Sequence, residues 1–206
     1  EALRRFFGKD IQVPQPPREL FKTQEALEKS GVTGFEAHYL PGEELTQKDK
    51  LPGWHVKPEQ WYRDQIKNGK VAKDAATLRA GWYLVDGRAK PNYDDGKQRY
   101  QDDARFQAII DELRTSGKIQ APKYVPSDSR FGTSPDEVDG VILPEFAKTV
   151  KIVSPVRTPR EIEFNVLGNM YHPEWGQTNT WEIMSDQFEL GVRLVGGCSD
   201  LGGLAD

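Results

Sequence analysis

Apolar residues in this chain recur at helical spacing in five blocks, each set off by polar, glycine- or proline-bearing stretches. The first block predicts a helix from about Pro17 to Ser30, with Leu20, Phe21, Ala26 and Leu27 as its apolar side and Gly31 as its stop. PEQWYRDQIKNGK reads as a short helix with Pro58 in its first turn and Gly69 at its end. ARFQAIIDELRTSGK is the clearest amphipathic block: Phe106, Ile109, Ile110 and Leu113 share one stripe, and Gly117 closes it. In SPDEVDGVILPEFAKTV, Ser134 can cap, Pro135 suits the first position and Glu137 completes a capping box. Pro144 should kink or divide that helix, because it has no amide hydrogen to donate. VRTPREIEFNVLGNM repeats the grammar, with Thr158, Pro159 and Glu161 as a second box and Ile162, Val166 and Met170 as a stripe.

Between and after these helices the pattern changes to short runs suited to strands: GFEAHYL, GWYLVDG, TWEIM and GVRLVGG. Near the start, GKDIQVPQPPREL is rich in proline and reads as an extended arm. The expected class is α+β, with helices first and a small twisted antiparallel sheet late. Residues 1–75 read as an arm with supporting helices, and residues 76–206 as the main domain.

Composition narrows the function classes. The chain has 206 residues, enough for one domain with a core of its own. Hydrophobic residues make up 36% and mean hydropathy is -0.70, yet the 10% aromatic content argues for a packed core built from large rings. Net charge is -4 with both signs interspersed, which gives no electrostatic footprint for nucleic acid. Apolar runs are only a few residues long, so membrane insertion is not expected. Cys198 stands alone, which excludes an internal disulfide and a cysteine zinc site.

Familiar catalytic signatures are missing. There is no phosphate-binding glycine loop and no nucleophile elbow. Cys198 has no basic or histidine partner nearby in sequence and reads as an inert thiol. The histidines His38, His55 and His172 have no partner at metal-binding spacing, although His172, Glu174 and Asp186 could assemble a metal site in space. No acidic cluster has calcium-loop spacing, and no cofactor is implied.

The last quarter of the chain is more specific. VRTPREIEF (Val156 to Phe164), TWEIMSD (Thr180 to Asp186) and VRLVGGCSD (Val192 to Asp200) follow one another in the order of three motifs of the C-type lectin fold. In its formylglycine-generating-enzyme-like branch these are a helix opening R-L-P-T-E-A-E-W-E, a W-E-W segment followed by an acidic residue, and an R-x-x-R-G-G turn. Catalytic members of that branch use a copper-binding cysteine pair. With one cysteine here, the resemblance carries the fold and not the reaction.

NTWEIMSDQFELGVRLVGGCSDLGGLAD is also similar to the variable proteins of diversity-generating retroelements, whose pattern is NTWE…SD…G-x-RL-x-GG-x-SD-x-GGLA. In that family, adenine-directed mutagenesis rewrites chosen codons of a C-terminal variable region on a lectin-like scaffold. The resemblance implies a variable region at about 178–206, with Ile183, Met184, Gln187, Val192, Cys198, Leu201 and Asp206 as variable, ligand-binding positions. It implies a scaffold of Trp181, Arg193, Gly196, Gly197, Gly202 and Gly203, with Trp181, Leu194 and Leu204 anchored in the core. Members of the fold close with a further strand ending in G-F-R-like residues, which this sequence lacks, so a truncation at Asp206 is one reading.

The expected function is therefore a binding protein that displays a diversified surface to a protein or glycan ligand on a cell or virus surface. The virion or cell surface is the favoured location, with the cytoplasm as the other. Two alternatives belong to other classes. One is an enzyme of the formylglycine-generating type, or a relative using a metal at His172, Glu174 and Asp186. The other is a structural virion or surface component whose glycine-rich tail makes subunit contacts.

Overall fold

A computed structural model describes residues 1–45, 51–89, 91–92, 103–120, 123, 132–189 and 192–197. Helices and short antiparallel strands alternate along it, an α+β arrangement. Within the described residues, no helix is long and apolar enough to cross a membrane.

The chain opens on a helix that the arm reading had not foreseen, α1 (Ala2–Phe7), which buries Phe6 and Phe7. Phe6 meets Trp54 edge to face at 4.8 Å, so two large rings seat the start of the chain. The proline-bearing stretch that follows has no regular secondary structure as far as α2 (Arg18–Lys29). In α2 the buried face is Leu20, Thr23 and Leu27, while Phe21 is exposed. Positions 20, 23 and 27 fall on one helical stripe, and position 21 lies a third of a turn away from it. α3 (Gln60–Lys67) buries Tyr62 and Ile66 one turn apart; Glu59 precedes its first residue, so Pro58 lies outside the first turn. α4 (Ala104–Thr115) buries Ile109, Ile110 and Leu113, and the Asp103 carboxylate caps it by accepting the amide hydrogens of Arg105 and Phe106. Gly31, Gly69 and Gly117 follow α2, α3 and α4 with φ of 74°, 74° and 70°, the left-handed turn that ends a helix most cheaply at glycine.

The Ser134 box forms as read: the serine hydroxyl accepts the Glu137 amide hydrogen, and the Glu137 carboxylate accepts that of Ser134. The helix it starts is divided. A first turn, α5 (Pro135–Glu137), widens into a π-turn over Val138–Ile142 and resumes as α6 (Leu143–Thr149). The division sits just ahead of Pro144, where the missing amide hydrogen breaks the ladder.

The second box is displaced. Thr158 turns away and hydrogen-bonds the Asp139 carboxylate through both its amide and its hydroxyl. The helix, α7 (Glu161–Met170), starts beyond it, and Glu163 supplies the cap by accepting the Arg160 amide hydrogen at 2.9 Å. Residues 161–169 are all buried, so α7 is the central element of the fold, and its apolar stripe of Ile162 and Val166 is one side of a wholly enclosed helix.

Among the described residues, four strands form two separate ribbons where the sequence suggested one late sheet. β1 (Phe35–Leu40) pairs antiparallel with β2 (Gly81–Asp86), from Phe35 opposite Asp86 to Leu40 opposite Gly81. β3 (Glu182–Gln187) pairs antiparallel with β4 (Arg193–Gly196) through a bulge between Ile183 and Gln187. Two apolar clusters hold the elements together. The larger joins Phe6, Leu40, Tyr62 and Ile66 to Ile162, Val166, Trp175, Met184 and Leu194. The other packs Leu27 and Val32 on Ile110, Leu113, Ile142 and Phe146. Each cluster draws residues from both sides of position 75, so the two expected segments share their cores.

Candidate functional site

The β3–β4 ribbon is fastened to the start of α7 by polar contacts. Ser185 donates its amide hydrogen to the Pro159 carbonyl at 2.8 Å, and Asp186 accepts the Glu161 amide hydrogen at 2.7 Å. Arg160, buried, donates to the carbonyls of Asp74, Ala75 and Thr77 and lies 3.6 Å from the Asp186 carboxylate. Burial holds the Asp186 carboxyl above the usual carboxylate range, against the opposing pull of the Glu161 amide and Arg160. Arg193 donates to the Ser185 carbonyl within the ribbon and reaches Asp136 on α5.

One face of the ribbon is core and the other is not. Met184 is 0% exposed and Leu194 is buried beside it in the larger cluster. Gly196 and Gly197 are buried, and Gly197 has φ of 79°. Trp181, Val192 and Val195 are exposed, at 44%, 52% and 41%. Ile183 is half-buried opposite Val195, and Gln187 is exposed opposite Arg193.

Two expectations are corrected. Met184 is not a displayed residue: strand alternation points it inward, one step out of phase with Ile183. Trp181 is not a core anchor: it stands two residues before Ile183, in phase with the outer face. Leu194, Gly196 and Gly197 are buried and Arg193 is half-buried, while Ile183 is half-buried and Gln187 and Val192 are exposed. Cys198, Leu201, Gly202, Gly203, Leu204 and Asp206 lie outside the described residues.

A second constellation lies where β1 meets the segment after α7. Glu36 and His38, two apart on a strand, share a face, and His172 arrives beside them. The Glu36 Oε2 is 3.1 Å from His38 Nε2 and 3.3 Å from His172 Nε2. On its other edge, His172 Nδ1 lies 3.1 Å from Glu174 Oε1. Rings fix both imidazoles. His38 stacks on Tyr171 at 4.2 Å, and His172 lies on Trp175 at 4.6 Å and 8°, with Phe164 stacked behind that indole. Burial pushes the His38 imidazole below its ordinary pKa, and the Glu36 carboxylate opposes that shift only in part.

The grouping of His172, Glu174 and Asp186 that could have assembled in space does not come together as a set. His172 and Glu174 do meet, but Asp186 is committed to the Glu161 amide and Arg160. Among the described residues, the group able to converge on one ion is Glu36, His38 and His172. The sequence analysis found no partner at metal-binding spacing for His38, yet Glu36 stands two residues before it on the same strand. A partner two residues away is the spacing that a strand requires.

No protein-family model matches this chain, and no curated protein or solved structure does so either.

Proposed function

We propose that the chain is a ligand-binding display protein on a C-type lectin-like frame, with its C-terminal region diversified by a retroelement. The reading rests first on the order of VRTPREIEF, TWEIMSD and VRLVGGCSD along the chain. The observation that carries it is the two-faced β3–β4 ribbon. Met184, Leu194, Gly196 and Gly197 form a buried frame, while Trp181, Gln187, Val192 and Val195 are exposed and Ile183 is half-buried. Rigid backbone beneath exposed aromatic and aliphatic groups is what recognition of a protein or glycan surface needs, because little side-chain entropy is lost on binding. The partner would be met at a cell or virion surface.

The test is to sequence the DNA flanking the gene. The expected result is a near-copy of the codons for Thr178 to Asp206 beside a reverse-transcriptase gene, differing mainly at adenines. Those differences should fall on the codons for Ile183, Val192, Cys198 and Leu201, and spare Met184, which the core holds. Absence of both a copy and a reverse transcriptase would remove the diversification reading.

A further inference from the structure

We propose that Glu36, His38 and His172 form a binding site for one divalent transition-metal ion with zinc-like ligand preference. The spacing carries the argument. Ligand atoms each about 2.1 Å from a tetrahedral ion stand about 3.4 Å apart. Here Glu36 Oε2 lies 3.1 Å and 3.3 Å from the two imidazole Nε2 atoms, and all three donor atoms fall within 4.8 Å of one another.

The orientation suits coordination. With Glu174 accepting the hydrogen of His172 Nδ1, the His172 Nε2 lone pair is aimed at Glu36 and His38, and on binding His38 Nε2 would give up the hydrogen it shares with Glu36. A carboxylate behind a ligating imidazole is the usual outer support of such sites. His172 Nε2 is buried and makes no hydrogen bond, a costly state for a polar atom that a metal bond would relieve. Stacking on Tyr171 and Trp175 holds both rings, so little needs to move. Gly87 completes the cradle: a Cβ there would come within 2.8 Å of the Glu36 carboxylate and 3.0 Å of His172 Cε1.

Two imidazoles and one carboxylate select zinc, cobalt or nickel over calcium and magnesium, which prefer oxygen alone. Glu36 is 49% exposed on its side chain, so ions have a route in and solvent can supply the fourth ligand. The bound ion would tie β1 to the segment that joins α7 to the ribbon. This site shares no residue with the display surface, and neither proposal depends on the other.

The experiment uses untagged full-length protein, stripped with chelator and titrated with zinc chloride by calorimetry, with thermal melts alongside. The expected result is one ion per chain and a melting temperature that rises with zinc. Glu36→Gln, at an exposed position, should fold normally and lose affinity at least tenfold. Glu174→Gln should lose about 10- to 100-fold while keeping the stoichiometry, as loss of an outer-shell carboxylate does. His38→Gln should abolish the stoichiometric binding. Failure of folded protein to bind zinc at micromolar concentrations would overturn the proposal, as would binding that survives both Glu36→Gln and His38→Gln unchanged.

Discussion

Arg193 of β4 reaches back 57 residues to Asp136 at the start of α5, closing to 2.9 Å while it also donates to the Ser185 carbonyl across the ribbon. The two contacts differ in weight. The Arg193 side chain is largely buried, whereas the Asp136 carboxylate stands in solvent, where an ion pair contributes little. Arg193→Ala should therefore cost about 1.5–3 kcal/mol, because it leaves the Ser185 carbonyl without its charged donor. Asp136→Ala should cost under about 1 kcal/mol. Urea unfolding of both variants checks this, and equal losses would show that the ion pair, and not the ribbon contact, is what holds β4.

The two faces of the ribbon should separate cleanly in stability. Met184→Ala and Leu194→Ala remove buried methylenes and should each cost about 2–5 kcal/mol. Trp181→Ser and Val195→Ser change exposed groups and should stay within about 0.5 kcal/mol. A loss of several kcal/mol at Val195 would place it in the core and remove it from the displayed surface.

Much of the helical framework was legible because its signals are local. Glycine stops at Gly31, Gly69 and Gly117, the Ser134 box and the Pro144 division each need only a few neighbouring residues. What failed depended on distant partners. Thr158 looked like a cap, but the carboxylate of Asp139 on the neighbouring π-turn claims it, and Glu163 takes over the role. The family pattern placed Trp181 inside and Met184 outside, whereas the alternation of β3 places them the other way round. For the histidine cluster, Glu36-x-His38 on a strand was readable as a one-face pair. His172 lies 134 residues beyond His38, and nothing local announces that α7 will deliver it to β1.

Gly87 offers a separate test of how tightly that corner is built. An added methyl meets the mobile end of the Glu36 side chain and the fixed ring of His172. Gly87→Ala should cost about 1 kcal/mol, the low end for overpacking, because the carboxylate can swing toward solvent. The cost should shrink in a Glu36→Ala background, since neighbouring changes couple. An undiminished cost, measured by denaturant unfolding of the double variant, would assign the clash to His172 instead.

The acid limb of stability should carry a signature of Asp103. Its carboxylate pairs with the Arg105 guanidinium at 2.9 Å and caps α4, and Arg105 in turn donates to the Ser30 carbonyl at the end of α2. The Arg105 hydrogen bond, with help from the Phe106 amide, holds this carboxyl below the ordinary aspartate value, although partial burial opposes the shift. A carboxyl whose folded pKa lies below its unfolded one, about 3.9, stabilises the fold fully above that value. Its contribution fades as pH falls through the folded pKa. Asp103→Asn keeps an oxygen for the cap but removes the charge. It should cost about 0.5–1 kcal/mol at pH 7, and the gap from the unchanged protein should narrow steadily below about pH 4. Urea unfolding across that range decides it: a gap that stays constant down to pH 2 would mean that the cap works through geometry alone and that the charge on Asp103 contributes nothing.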